Sequence, residues 1–184
     1  MNLVLAAGTE GALIKDDLPL AKPGNYGILS CANHSATMQS LAIEHLATLY
    51  PSTSFVHSYP GLVKTRQLTD WIKSPWLKWL ADWVLRPLLT PLSTAPEDVG
   101  NRCLYYLTSK QYPSLEGQRD PKKADGIDVQ PGVEVGPGQG AHLVYEMSDP
   151  KEGKVMKTYR EDGTREFVWE ESLKTWEAAL KKTI

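Results

Sequence analysis

Cysteine is scarce: the 184 residues include only Cys31 and Cys103. Two thiols far apart in sequence make no disulfide framework, so a reducing, cytoplasmic compartment is the default. Charge of one sign is also lacking. The net charge is −2, which offers no basic field to nucleic acid. No apolar run reaches the roughly 18 residues that a membrane span needs. The opening Met1–Leu13 stretch lacks a positive n-region, so it reads as a strand and not as a signal peptide. Metal-binding spacing is absent too. His34, His45, His57 and His142 are scattered, and there is no H-E-x-x-H or paired C-x-x-C. Nor is there a Walker loop or a G-x-S-x-G elbow. The Asp and Glu residues fall in loops and on polar helix faces, and no two are paired for acid–base work.

What remains is ordinary globular material, 41% hydrophobic and 23% charged, enough for one domain with its own core. Leu3–Ala7 is a short apolar run ending at Gly8, the pattern of a strand buried in a parallel sheet. Met38, Leu41, Ala42, His45, Leu46 and Leu49 recur at helical spacing, and Pro51 ends that helix. Ser54–Tyr59 reads as a second strand, terminated by Pro60-Gly61. Strand, helix and strand make a βαβ unit.

Four of the six tryptophans lie between residues 66 and 93. Trp76, Trp79, Leu80, Trp83 and Val84 predict an amphipathic helix stopped by Pro87 and Pro91, packed against the sheet and the last helix or covering an apolar ligand. Trp71–Trp83 carries only Lys73 and Lys78 as cations, too few to suggest a membrane surface. A further helix opens at Pro96, with Thr94 as N-cap, Glu97 and Asp98 in its first turn, and Val99, Cys103, Tyr106 and Leu107 buried. Cys31 and Cys103 are expected to be buried thiols.

Residues 110–140 read as a flexible surface loop. Its glycine-rich Gly136–Gly140 is followed by a strand, not by the helix N-terminus that would hold a phosphate. Ala141–Met147 is that strand. Asp162-Gly163 is either a hairpin turn or a break between two helices. Val168–Lys182 is the last helix, with Val168, Ser172, Trp176 and Leu180 on one face.

Residues 26–65 carry family information. Tyr26 opens a helix, the next strand follows, and Pro60-Gly61-Leu62-Val63-Lys64-Thr65 fills a P-G-x-x-x-T pattern. This stretch resembles the active-site helix and following strand of the short-chain dehydrogenase/reductase family. The tail, Tyr159–Gly163 leading to Val168-Trp169-Glu170, is similar to a divergent fungal branch of it.

The resemblance implies an α/β fold, specifically the C-terminal half of a Rossmann-like parallel sheet with flanking helices. It implies one truncated domain: a strand–helix–strand core (1–65), lid-like helices (66–109), the loop (110–140) and a C-terminal strand and helix (141–184). It implies an NAD- or NADP-dependent oxidoreductase acting on a carbonyl or alcohol of a small, apolar molecule. Tyr26 and Ser30 would occupy the catalytic positions, and Pro60, Gly61 and Thr65 would sit beside the nicotinamide. In the family a Lys ammonium four residues after the Tyr lowers the phenol's pKa, and a Ser hydroxyl holds the substrate oxygen. Here position 30 is Ser, which supplies no charge. The strand that should deliver the family's Ser reads Leu5-Ala6-Ala7-Gly8, with Thr9 the nearest hydroxyl. The glycine-rich dinucleotide-binding half is expected upstream. Two explanations stay open: part of a larger oxidoreductase, or a non-catalytic remnant that binds partners, through the tryptophan face for instance. Family members often self-associate through the active-site helix, so a homo-oligomer is possible on this resemblance.

Overall fold

A computed structural model describes residues 1–64, 72–118, 129–130, 132–133, 139–146 and 148–183. Three strands, β1 (Asn2–Val4), β2 (Phe55–Ser58) and β3 (Ala141–Val144), form one parallel sheet in the order β1-β2-β3. The fold is α/β, consistent with part of a Rossmann-like sheet. Helix α1 (Ile28–Leu49) crosses between β1 and β2. Its 22 residues contain no Gly or Pro, and Pro51 lies just past its C-cap, Tyr50.

The connection from β2 to β3 is long. It passes through α2 (Pro75–Leu80), a π-helical turn (Ala81–Leu85), α3 (Arg86–Leu89) and a 3₁₀ turn (Thr90–Leu92). Then come α4 (Pro96–Thr108) and the short α5 (Leu115–Gln118). Asp162-Gly163 proves to be a helix break. It separates α6 (Met156–Glu161) from α7 (Thr164–Thr183), with Gly163 at φ +79° and the Asp162 carboxylate accepting from the Thr164 N–H.

The strands alternate between two cores, as the pleat requires. Phe55, Ala141 and Leu143 join Ile43 and Ala47 of α1 on one face. Val56 and Val144 join Tyr106 of α4 and Tyr112 on the other. A third cluster (Leu13, Leu41, Met156, Tyr159 and Val168) holds α6 and α7 against the outer side of α1.

Several expectations are corrected. β1 is shorter than Leu3–Ala7 and among the described residues pairs with β2 alone, so Val4 and Leu5 are exposed instead of buried on both faces. The N-cap of α4 is Ala95; Thr94 is instead bridged to Val63. Of the face expected on α4 only Tyr106 is buried, because Leu107 points to solvent. On α7, Val168 is buried while Trp176 and Leu180 are exposed. Cys31 and Cys103 are half-buried. Pro87 and Pro91 do not stop the helical path, which runs on in short turns to Leu92. The tryptophan face does not pack: α1 and α4 already cover the sheet, and α2 buries none of its residues. Trp71 and Gly136–Gly138 lie outside the described residues.

The buried side of α1 is also more polar than its leucines suggest. Thr37, Ser40 and Glu44 are wholly buried. Each finds a partner distant in sequence, as burial demands. Glu44 takes a two-pronged ion pair from Arg160 of α6 (Nε–Oε2 3.0 Å, Nη2–Oε1 2.8 Å), and Glu152 closes over the same guanidinium. Burial holds the Glu44 carboxyl above the usual carboxylate range, an effect that Arg160 only partly offsets.

Removing Arg160 strands that carboxyl. Arg160→Met is expected to cost about 3–5 kcal/mol in urea unfolding. The carboxyl, raised further, then holds a proton in the folded state that the unfolded chain has lost. The variant's deficit should therefore be larger at about pH 8 than at about pH 5. A deficit independent of pH contradicts this account.

Candidate functional site

In a parallel α/β sheet, ligands bind beyond the carboxyl ends of the strands. Three loops meet there. β1 runs on through Leu5, whose N–H donates to the Ser58 carbonyl (2.9 Å), into Ala6–Thr9. β2 continues as Tyr59, Pro60 and Gly61, with the Tyr59 N–H donating to the Val144 carbonyl (2.8 Å). β3 continues as Tyr145 and Glu146, and the Lys151 N–H returns to the Leu143 carbonyl (3.2 Å).

Their side chains form a compact crest. The rings of Tyr59 and Tyr145 lie 5.1 Å apart. The Lys151 ammonium sits 3.6 Å above the Tyr145 ring, a cation–π contact. Gly61 has φ +74°, and the Glu146 side chain stands 3.3 Å from where a Cβ would be. A larger residue there is both strained and crowded. Arg102 of α4 holds the Glu146 carbonyl from the other side. Burial, together with Glu146 and Tyr145, pushes the Tyr59 phenol up. Beyond Gly61 the chain is pinned to the start of α4: the Lys64 N–H donates to the Thr94 carbonyl (2.9 Å), and the Thr94 N–H to that of Leu62 (2.7 Å).

Under the crest lies a chain of buried polar groups. Ser40 Oγ lies 2.8 Å from His57 Nδ1 and donates to Glu10 Oε1 at 2.7 Å. The Ala6 N–H points at His57 Nε2 (3.4 Å), which makes that nitrogen the acceptor and leaves the proton on Nδ1. The order is therefore His57 Nδ1–H to Ser40 Oγ–H to Glu10. Glu10 also accepts from the N–H groups of Gly8 (3.0 Å) and Gly153 (2.7 Å). Gly153 can only be glycine, because a Cβ would stand 2.4 Å from the Glu10 carbonyl. The trio has the residue types of a hydrolase triad but not its wiring. The serine gives its proton to the carboxylate, no imidazole nitrogen is open to take it, and all three are buried. It ties the loop after β1, α1, β2 and the loop after β3 together.

The sequence-predicted residues are only partly brought together. Pro60 and Gly61 sit on the crest. Thr65 lies outside the described residues. Tyr26 is 69% exposed just before α1. Ser30 is one helical turn in, and its hydroxyl donates to the carbonyls of Gly27 (3.1 Å) and Asn25 (3.2 Å). The start of α1 points to the same end of the fold as the crest. However, the helix meets β2 at Ser40, about 18 Å of helix axis from Ile28. Tyr59, Tyr145, Glu146 and Lys151 were not anticipated. Their one signal in the sequence is that each follows the end of a strand.

The crest suits one end of a nicotinamide dinucleotide. The Tyr59 ring and Pro60 offer apolar surface, with the Tyr145 ring tilted 41° beside them under Lys151, and Glu146 offers an acceptor for a carboxamide. The diphosphate end is not met. A dinucleotide site opens its helix directly after the strand, whereas 23 residues separate β1 from α1. Among the described residues no group of His, Cys, Asp and Glu could hold a metal ion, and no helix is long and apolar enough to cross a membrane.

The chain is similar to oxidoreductase AN1596 of Emericella nidulans, 32% identical over 183 residues. It is homologous to fungal oxidoreductases. Oxidoreductase andH of Emericella variicolor is 33% identical over 181 residues. The short-chain dehydrogenase/reductase SAT2 of Stachybotrys chartarum is 26% identical over 183. These alignments take in 97%, 95% and 97% of this chain but 54%, 51% and 51% of the three proteins. The chain thus spans about half the length of the curated relatives it matches. No family model matches it, and no solved structure does.

The His57 ring yields a test. Burial lowers its pKa to about 4. Between that value and the unfolded value of about 6.5 only the unfolded chain takes up the proton. Its contribution to stability is complete above about pH 6.5 and lost as pH falls toward 4, roughly 3 kcal/mol in all. Urea midpoints measured across this range should fall steeply for the natural chain and less steeply for His57→Gln. Identical slopes would contradict the assignment.

Proposed function

We propose that the chain forms the substrate-side half of an NAD(P)-dependent oxidoreductase of short-chain dehydrogenase/reductase type. The substrate class is a carbonyl or alcohol on a small apolar molecule. The observation that carries this reading is Pro60-Gly61 at the carboxyl end of the central parallel strand, in a chain homologous to oxidoreductases. When bound, the nicotinamide supplies or accepts the hydride.

In this reading Pro60 and Gly61 bear on the nicotinamide, as does Thr65. Tyr26 gives or takes the proton on the substrate oxygen. Ser30 occupies the place of the family's ammonium without its charge, so proton transfer through Tyr26 is slow at neutral pH. The Tyr59 ring, with Tyr145 tilted 41° beside it, would border the nicotinamide. Glu146 fixes the turn at Gly61.

Titration with NADH and NADPH, followed by tryptophan fluorescence, tests this. The expected result is saturable quenching with a dissociation constant of roughly 1 mM, since the crest meets one end of the cofactor. Gly61→Val, with far-UV dichroism confirming its fold, should abolish it. No saturation by the folded natural chain would overturn the reading and leave a binding role.

A further inference from the structure

We propose that the tryptophan-bearing segment, residues 72–92, docks on an anionic lipid surface. Nothing in α2 is buried. Trp76, Trp79 and Trp83 are 65%, 61% and 69% exposed, and Leu77, Leu80, Val84, Leu88 and Leu92 are exposed beside them. The spacing of the three tryptophans puts them on one side of the helical path, where Trp79 and Trp83 lie 6.1 Å apart. A contiguous exposed apolar face of this kind marks an interaction surface.

Charge chooses the occupant. The segment carries Lys73, Lys78 and Arg86 against one acid, Asp82, while the whole chain is net negative. Three cations against one acid leave the segment with a net charge of +2. Two copies meeting through this face would set one net-positive segment against another. A bilayer containing anionic headgroups meets both halves of the pattern. Trp and Leu enter the interfacial region, and the cations stay at the headgroups. Two lysines on a packed face would be too few for a membrane surface. The face is unpacked, and Arg86 adds a third cation. The segment lies on the surface and does not cross it.

The experiment is co-sedimentation of the full chain with phosphatidylcholine vesicles, with and without phosphatidylserine, together with the tryptophan emission maximum. The expected result is capture by the anionic vesicles with a blue shift, and weaker capture by neutral vesicles and at high salt. The triple variant Trp76→Ala, Trp79→Ala, Trp83→Ala should bind about a hundredfold more weakly. These side chains are exposed, so the variant keeps its fold, which its urea midpoint verifies. A folded natural chain left in the supernatant with both vesicle types overturns the proposal. So does a lipid-free dimer in sedimentation velocity that the triple variant abolishes, which assigns the face to a second copy.

Discussion

The hydrogen-bonded chain from His57 through Ser40 to Glu10 is the constraint on which the rest of the architecture depends. Each member comes from a different element, and each is buried. A buried polar group without a partner costs more than a satisfied one contributes, so the three stand or fall together. The Glu10 carboxylate gathers the Gly8 and Gly153 amides and so fixes the loops after β1 and β3. The crest at the carboxyl ends of the strands is shaped by what lies beneath it. Tyr59 and Pro60 lie two and three residues after His57, and Tyr145 packs against the turn at Gly8.

The same logic operates along the outer side of α1. Glu44 and Arg160 give α6 a fixed register on the helix, and the Tyr159 hydroxyl accepts from the Leu13 N–H (2.9 Å). The residues of the tail that resemble the fungal branch are thus structural in this fold. The crest and the exposed phenol of Tyr26 lie outside this buried framework. Among the described residues the tryptophan segment stands apart from both cores, and so it is free to serve as a contact surface.

Much of the fold was legible in the sequence because it is local. The apolar spacing of α1, Pro51 behind it, the short Ser54–Tyr59 run before Pro60 and the Asp162-Gly163 punctuation each act within a few residues. The buried polar face of α1 was not legible. Thr37, Ser40 and Glu44 lie outside the apolar stripe, and their partners include Gly11, Glu10 and Arg160, the last 116 residues away. The tryptophan helix misled for the reverse reason. Periodicity shows that a face is apolar, not that anything covers it. For the candidate site, Pro60 and Gly61 were visible as a motif. Tyr145, Glu146 and Lys151 follow a strand some ninety residues later, and only the sheet register brings them to the same edge.

The central claim is that the His57–Ser40–Glu10 chain is architecture, with a neutral imidazole whose proton direction is fixed. Long-range proton–nitrogen correlation spectra of the histidine rings test it most directly. At about pH 6 the account predicts a neutral His57 with its proton on Nδ1 and a bare Nε2. A ring protonated on both nitrogens, or carrying its proton on Nε2, would contradict it.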